Sequence, residues 1–407
     1  MEFLRFIAAN GRWLTAGGLI SLSSSYGQTC FISIFAGAIM AEFSLTDGQW
    51  GAIYTIGTTA SAVVMLFSGI LSDHFRARTL ATVILFGLSA ACLFMSAIPG
   101  AWALPIAIFA LRFTGQGMLS HIAIVAIARW FSAARGKALA ISTLGFSAGE
   151  ALLPILFVSL LTVWPWRSLW VVAAVISLAT IPVLLLLLRR ERTPQSMAQI
   201  SSSAGMLNRH WTRKETLGHW LFWLLIPTMT APGIFSTALF FQQVHLSNSK
   251  GWEHAHFVSL FPLYTVTTIA AMMVYGWAID RFGCRRLLAW YQVPMAAGYV
   301  VFAYGTSLGH AAVGFMLMGL MQGGGATLFN AAWAEFYGTR HLGSVKSVAT
   351  ALMVFGSALG PGLTGLLIDF GIPFQDQMAF FAVYILAACL LTYFAMLNVR
   401  VLFTAPA

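Results

Sequence analysis

Nine stretches of this chain run for more than twenty residues without an Asp, Glu, Lys or Arg: 13–41, 48–72, 79–111, 168–188, 216–249, 257–279, 287–334, 347–368 and 377–399. An α-helix crosses a hydrocarbon layer of about 30 Å with about 20 apolar residues, so each stretch is long enough to span a bilayer. Two of the longest carry turn signals near their middles, Pro99-Gly100 in one and Ser307-Leu308-Gly309-His310 in the other, and each of these reads as two spans. The segment from about 113 to 128 completes the span that starts after Pro99-Gly100, and adding the segment from about 138 to 163 brings the expected count to twelve. No period-two alternation runs through these Leu/Ala/Gly-rich segments, which argues against a porin-like barrel and for an all-α membrane protein.

Composition agrees. The chain is 59% hydrophobic and 8% charged, where a soluble domain carries about 25% charged residues. Arg5 and Arg12 precede an apolar run too long for a signal peptide, so an uncleaved first span is expected. Cys30, Cys92, Cys284 and Cys389 lie in or beside spans without metal-ligand spacing and read as small packing residues. The formal charge of +10 raises the question of a nucleic-acid partner, and the placement of the charges answers it. With the N-terminus cytoplasmic, 19 of the 22 basic residues fall in cytoplasmic segments, with Arg167 and Lys250 outside and Arg112 inside a span. That is the positive-inside rule, and it accounts for the basic balance without a polyanion.

An internal repeat sets the architecture. At a shift of 207 residues Gly69 falls on Gly276, Asp73 on Asp280, Phe75 on Phe282, Arg78 on Arg285, Gly117 on Gly324, Gly136 on Gly343, Gly149 on Gly356 and Pro154 on Pro361. Asp, Arg and Pro are scarce in this sequence, so their agreement at one shift points to two parallel six-helix halves. We expect an N-terminal bundle over residues 1–188, a solvated cytoplasmic linker over 189–217 and a C-terminal bundle over 218–407. The linker holds Ser201-Ser202-Ser203 and six basic residues against two acidic ones.

Two loop motifs occupy corresponding places in the repeat: GILSDHFRAR at 69–78 and GWAIDRFGCRR at 276–286. They resemble the loop signature of the major facilitator superfamily, G-x-L-x-D-(R/K)-x-G-(R/K)-(R/K). The first copy departs from it, with His74 at the cation position and Arg76 at the glycine. The resemblance implies the major facilitator fold, twelve transmembrane helices in two six-helix pseudo-repeat bundles. It also implies alternating access about a site at the midplane. Gly69 and Gly276 are then expected to permit close helix approach. Asp73 and Asp280 are expected to meet a helix N-terminus, and Arg78 and Arg285 to pair with acidic or carbonyl groups as a cytoplasmic gate.

In the fourth span ALRFTGQG, 110–117, resembles the family's R-x-x-x-G-x-G pattern. Arg112 lies about ten residues from the outer helix end, roughly 15 Å deep. A guanidinium at that depth is costly unless it faces a cavity or a partner, which makes it a functional candidate. Glu150 on the fifth span reaches a similar depth from the other direction, on a polar stripe with Thr143 and Ser147, while Gln116 and Ser120 extend the stripe of Arg112. We expect Arg112 and Glu150 to meet, or to compete for a shared substrate or proton. The fifth span, LGFSAGEALLP at 144–154, is similar to an antiporter signature at Gly145 and Gly149, but Glu150 replaces its usual proline and Leu153 a glycine.

Further polar stripes hold Ser21, Ser25 and Gln28; Tyr264 and Thr268; Gln322 and Asn330; and Gln242 with Gln243. Glu335 and Arg340 read as gate partners, and His121, about 180° around its helix from Arg112, faces elsewhere. No G-x-S-x-G, G-x-x-x-x-G-K-[ST] or H-E-x-x-H occurs, so neither an enzyme nor an ATP-driven pump is expected, and no cofactor or metal is called for. The run GLMQGGGA at 319–326 lies in an apolar span and suits close helix contact.

Within the superfamily, ARWFSAARGKALAISTLG at 128–145 and the fourth span are similar to bacterial monocarboxylate and oxalate/formate porters. The implied function is secondary transport of a small organic anion bound by Arg112, coupled to protons through Glu150. The implied setting is a bacterial inner membrane, with lipid and substrate as partners, both termini cytoplasmic and a monomer as the working unit. Two alternatives stand beside it: an efflux antiporter for amphipathic compounds, suggested by 14% aromatic content, and a membrane sensor that binds without transporting.

Overall fold

The computed structural model describes the backbone of residues 2–68, 71–131, 135–189, 205–338 and 341–404, and every regular element among them is helical. Gly69, Arg340 and the side chains of Asp73 and Asn330 lie outside the described residues. Eleven described helices are long and apolar enough to cross a membrane, and Thr29–Phe43 adds a shorter apolar segment.

The first expected span is broken. Helix α1 (Glu2–Ser23) ends in a 3-10 turn, Ser24–Gly27. The chain then passes through Gln28 in an extended conformation (φ −82°, ψ 152°) before α2 (Thr29–Ile32) and α3 (Ala36–Phe43). Hydroxyls drive the break: Ser23 donates to the Leu19 carbonyl (2.9 Å), Ser24 to Ser21 (2.6 Å) and Ser33 to Thr29 (2.7 Å). Such bonds offer the backbone an alternative to the helical ladder.

The rest of the N-terminal half comprises α4 (Asp47–Ser68), α5 (Leu71–His74), α6 (Ala77–Ser96), α7 (Leu104–Leu111), α8 (Ser120–Trp130), α9 (Arg135–Leu161) and α10 (Trp166–Leu187). Between α7 and α8 the chain is π-helical over Arg112–Leu119. The C-terminal half comprises α11 (Arg213–Leu217), α12 (Trp220–Ala231), a π segment Pro232–Ser236, α13 (Thr237–Phe241), α14 (Gln243–Ser249), α15 (His254–Val258), α16 (Phe261–Phe282), α17 (Cys284–Leu288), α18 (Val293–Tyr304), α19 (Leu308–Tyr337), α20 (Leu342–Asp369) and α21 (Phe374–Thr404). Contacts divide the chain into two compact units, Met1–Ile200 and Ser201–Ala407.

In the N-terminal unit α1 packs on α8 and α9, α4 on α7, and α6 on α10. The α1–α9 contact is made by bare backbone: a methyl on Gly145 would collide with the Gly18 carbonyl. Small residues serve that role in lipid, where apolar side chains gain little by leaving the solvent. Around the break, Tyr26, Phe31, Phe35, Phe157 and Trp170 form a cluster with ring centroids 4.8–6.4 Å apart, edge-to-face except for the tilted Phe35–Trp170 pair. In the C-terminal unit the glycine run contacts α16 as the sequence implied. A methyl on Gly319 would come within 2.7 Å of the Tyr264 carbonyl, and one on Gly323 within 2.5 Å of that of Thr268.

The repeat extends to the helix ends at Ser96 and Tyr304. Arg167 donates to the carbonyls of Ser96 (2.8 Å) and Ile98 (3.0 Å), and Lys250 to those of Ala303 (2.6 Å) and Gly305 (3.0 Å). Adding 207 to 96 and 98 gives 303 and 305, so one pair of carbonyls is capped in both units by cations from non-equivalent loops. A cation at a helix C-terminus is favoured by the helix dipole. Arg167 also pairs with Glu42 at 2.6 Å, while burial lowers the pKa of Lys250. Arg167→Met and Lys250→Met are each expected to destabilise their unit by about 2 kcal/mol, the scale of charge-assisted hydrogen bonds at a partly wet site. Melting temperature in detergent reads this, and a loss at Arg167 alone would assign the effect to Glu42 rather than to the carbonyls.

The expected linker is partly folded. Met206 and Trp211 are buried, the Trp211 backbone N–H donates to the Tyr337 carbonyl (3.0 Å), and its indole donates to the Met206 carbonyl (3.1 Å). A capping box of Thr212 and Glu215 starts α11, and the Thr212 N–H and hydroxyl hold the Glu215 carboxyl below its ordinary pKa. Residues 205–217 thus pack on the C-terminal unit rather than forming a solvated tether. The buried Met206 and Trp211 explain the difference, because a charge count over 189–217 gives no weight to two apolar anchors.

Candidate functional site

In the N-terminal unit the site is built where three backbone irregularities meet. The π segment of the fourth span, RFTGQGML, contains Gly115, where an added methyl would lie 2.7 Å from Gly27 of the broken first span. Because the ladder stops there, the Gly27 carbonyl is turned to a side chain and accepts from Arg112 Nη1 at 3.3 Å. The same nitrogen donates to Thr29 Oγ1 at 3.3 Å, and that oxygen shares a hydrogen bond of 2.6 Å with the Tyr54 hydroxyl. The guanidinium carbon stands 5.4 Å from the Tyr54 ring centroid. Arg112 is 2% exposed and its Nε meets no acceptor.

Both of these hydrogen-bond partners of Arg112 are neutral, so among the described residues its charge is solvated by neutral groups. The expected meeting with Glu150 is not observed: among the described ion pairs none joins the two. Glu150 is half-buried on α9, and Cys30 lies within electrostatic reach of both groups. The helix break, absent from an ideal-helix projection, gives the guanidinium backbone and hydroxyl acceptors instead. Gln116 and Ser147 are half-buried and Gln28 is buried at the break.

In the C-terminal unit a cavity of about 230 Å³ opens beside the second π segment. Tyr291, Phe329 and Trp333 form an aromatic wall, Met229, Met321 and Met353 an apolar floor, and Gln322, Lys346 and Thr350 the polar lining. Tyr291 is fixed from behind by Gln292 Nε2 (2.7 Å) and by its own bond to the Thr228 carbonyl (3.3 Å). Pro232 and Gly233 explain the π segment, since proline has no N–H and clashes with the preceding turn. At the shift of 207, Pro232–Ser236 falls on Ser25–Thr29, so both units interrupt their first helix at one register. Interrupted helices at matching positions of two repeats mark transport sites, because freed backbone groups there line polar space.

The sequence model of the Major Facilitator Superfamily matches residues 17–265 and again 233–407. The chain belongs to the major facilitator superfamily. Among solved structures it is similar to a bacterial homologue of the human lysosomal transporter Spinster, in inward-facing unoccupied and occupied forms. The TM-score is 0.75 at 15% identity for both, covering 98% of this chain and 99% of that one in the first case, and 97% and 98% in the second. A mutant of the nucleoside transporter NupG follows with TM-score 0.68 at 13% identity, over 95% of this chain and 99% of that one. No curated protein matches significantly. As a superfamily member this protein is an integral multi-pass transporter of the alternating-access type and not an enzyme.

The superfamily's loop residues are placed unevenly. Arg285 pairs with Glu335 (2.9 Å), and the Cys284 thiol donates to the same carboxylate (2.6 Å). In the N-terminal unit Arg129 donates to the Ser72 carbonyl at 2.5 Å and pins the corresponding loop. Glu335 is thus held by Arg285, while Arg340, its expected gate partner, lies outside the described residues. Asp280 is exposed in the last turn of α16, and Arg78 is half-exposed at the start of α6. A methyl on Gly276 would meet nothing within 4 Å, so the close approach expected there is not made within its unit.

Tyr264 also departs from expectation. It is buried among Phe240 and Phe315 (centroids 5.4 and 6.4 Å) rather than lining the cavity, and Thr268 donates back to its carbonyl at 2.9 Å. Gln242 bonds Thr364 at 3.3 Å, a link between helices. Of the second-half polar residues, Gln322 reaches the cavity. Thr29, Tyr54, Tyr291 and Lys346 were not singled out from the sequence as site residues. The available signals were the Ser24-Ser25-Tyr26-Gly27 cluster and Pro232-Gly233, both turn formers inside apolar spans.

Proposed function

We propose that this transporter moves a small organic anion of the monocarboxylate kind, coupled to protons. The single observation behind the reading is Arg112, a fully buried cation hydrogen-bonded to neutral oxygens and with an idle Nε donor. A carboxylate fits what is lacking, because guanidinium recognises it in a bidentate, planar geometry. Lys346 adds a second cation, at the cavity of the C-terminal unit. Glu150, half-buried and outside the described ion pairs, is the proposed proton carrier. Residues 1–188 and 218–407 serve as the two bundles, in a bacterial inner membrane with cytoplasmic termini and with a monomer as the unit. Gly69, Asp73, Arg78, Gly276, Asp280 and Arg285 serve as the cytoplasmic gate.

The methionine and aromatic lining around Tyr291 favours a second reading, efflux of amphipathic compounds, since thioethers adapt to varied apolar shapes. Flux in proteoliposomes separates the two. Radiolabelled lactate and oxalate are expected to accumulate and to compete with each other, and tetraphenylphosphonium is expected to do neither. Export of tetraphenylphosphonium with indifference to both acids would replace the first reading with the second.

A further inference from the structure

The cavity of the C-terminal unit is bounded on one side by a face of α19 on which Met321, Gly325, Phe329 and Trp333 follow one another at four-residue steps. Gly325 and its neighbour Ala326 stand between the large side chains of Met321 and Phe329 and leave a recess. A methyl added at Gly325 would come within 3.3 Å of the Tyr291 ring and crowd it. Beside the recess Tyr291 and Phe329 form a corner, with ring centroids 5.7 Å apart and planes at 83°. A flat ring entering such a corner lies face-on to one of the two and edge-on to the other, and these are the arrangements that aromatic quadrupoles favour.

The corner is set before anything binds. Tyr291 is fixed by Gln292 and by the Thr228 carbonyl, and Phe329 leans on Trp333 (5.9 Å), which packs in turn against Phe222 (5.7 Å) and Tyr337 (6.0 Å). A preset wall spares its ligand the cost of ordering side chains. Met229, Met321 and Met353 line the same space, and thioether sulfur is favoured at the edge of an aromatic ring. Size agrees: an apolar cavity of about 150 Å³ takes a benzene, so about 230 Å³ leaves room for a carboxylate beside the ring. The lining also has a direction. Residues 338–341 are the whole connection between α19 and α20, and so short a link makes neighbouring helices antiparallel. Trp333 and Lys346 each lie about one turn from that link, while Met321 and Met353 lie toward the other end. A cation therefore stands at one end of the cavity and thioethers at the other.

We propose that this cavity recognises an aromatic monocarboxylate, a benzoate-like anion, with its ring in the corner of Tyr291 and Phe329 and its carboxylate at the Lys346 end. On the reading of the cargo as a carboxylate, on which this rests, the preferred acids are those that carry a flat ring.

Calorimetric titration of the purified full-length protein with benzoate and with cyclohexanecarboxylate tests the site, because the two acids share a charge and a six-membered ring and differ in flatness and in the π-system. The wild type is expected to bind benzoate about tenfold more tightly, a comparison that needs no variant to fold. Phe329→Leu is expected to cut that ratio to about twofold by weakening benzoate alone. Lys346→Gln is expected to weaken both acids about tenfold and to leave their ratio in place. Equal affinity of the wild type for the two acids, or a benzoate preference unmoved in Phe329→Leu, would overturn the ring assignment while leaving Arg112-dependent lactate uptake to stand for carboxylate transport. Benzoate bound no better than its neutral analogue benzamide would overturn the carboxylate, and the reading of the cargo as an anion would fall with it.

Discussion

Arg112→Ala is expected to reduce anion uptake by about 100-fold or more, with cargo affinity rather than folding as the cause. Two charge-assisted hydrogen bonds from a buried guanidinium to a carboxylate are each worth about 1.5–3 kcal/mol, and every 1.4 kcal/mol is a factor of ten. Arg112→Lys keeps the charge but loses the fork, and about a tenfold loss is expected. Stability separates this role from a structural one. A buried charge whose described contacts are the Gly27 carbonyl, the Thr29 hydroxyl and the face of the Tyr54 ring is a burden to the empty protein. Arg112→Met is therefore expected to leave the melting temperature unchanged or to raise it while transport is lost. A fall of many degrees would show Arg112 to be a clamp for the broken helix, and the transport assignment would go with it.

Glu150→Gln is expected to abolish accumulation driven by a pH gradient while leaving exchange of labelled for unlabelled substrate intact. With one proton per anion, one pH unit supports about a tenfold gradient, since a tenfold proton ratio is worth about 1.4 kcal/mol. The variant should reach the ratio of passive equilibration. Glutamine keeps the shape and one acceptor of the carboxyl but carries no proton, so the change isolates coupling from packing. Full accumulation in the variant would remove Glu150 from the proton path, and lost exchange would make it part of the cargo site.

The spans and the repeat were legible because they are local or additive properties of the chain. A run of uncharged residues needs no partner to declare itself, and the matches at 207 survive wherever the helices end. Arg112 was legible for the same reason, as a charge that hydrocarbon does not tolerate unaided. Its partners were not. Tyr54 lies 58 positions before it, and Thr29 was reachable only once the first span was known to break. Helical projection turned Tyr264 toward a cavity that it does not line, because projection knows the side of a helix but not the neighbour on that side.

The sequence by itself thus determined that this chain lives in a membrane as two related helical halves with a cation inside the first. Solvent sets that outcome, since lipid rewards any apolar run of sufficient length whatever its neighbours. Only the tertiary structure decided that the first helix parts at Gln28, that Arg112 takes a carbonyl and a hydroxyl instead of Glu150, and that residues 205–217 fold onto the second unit. Those outcomes depend on which backbone groups are left unsatisfied and what stands within about 3 Å of them, and only the packed chain supplies both facts.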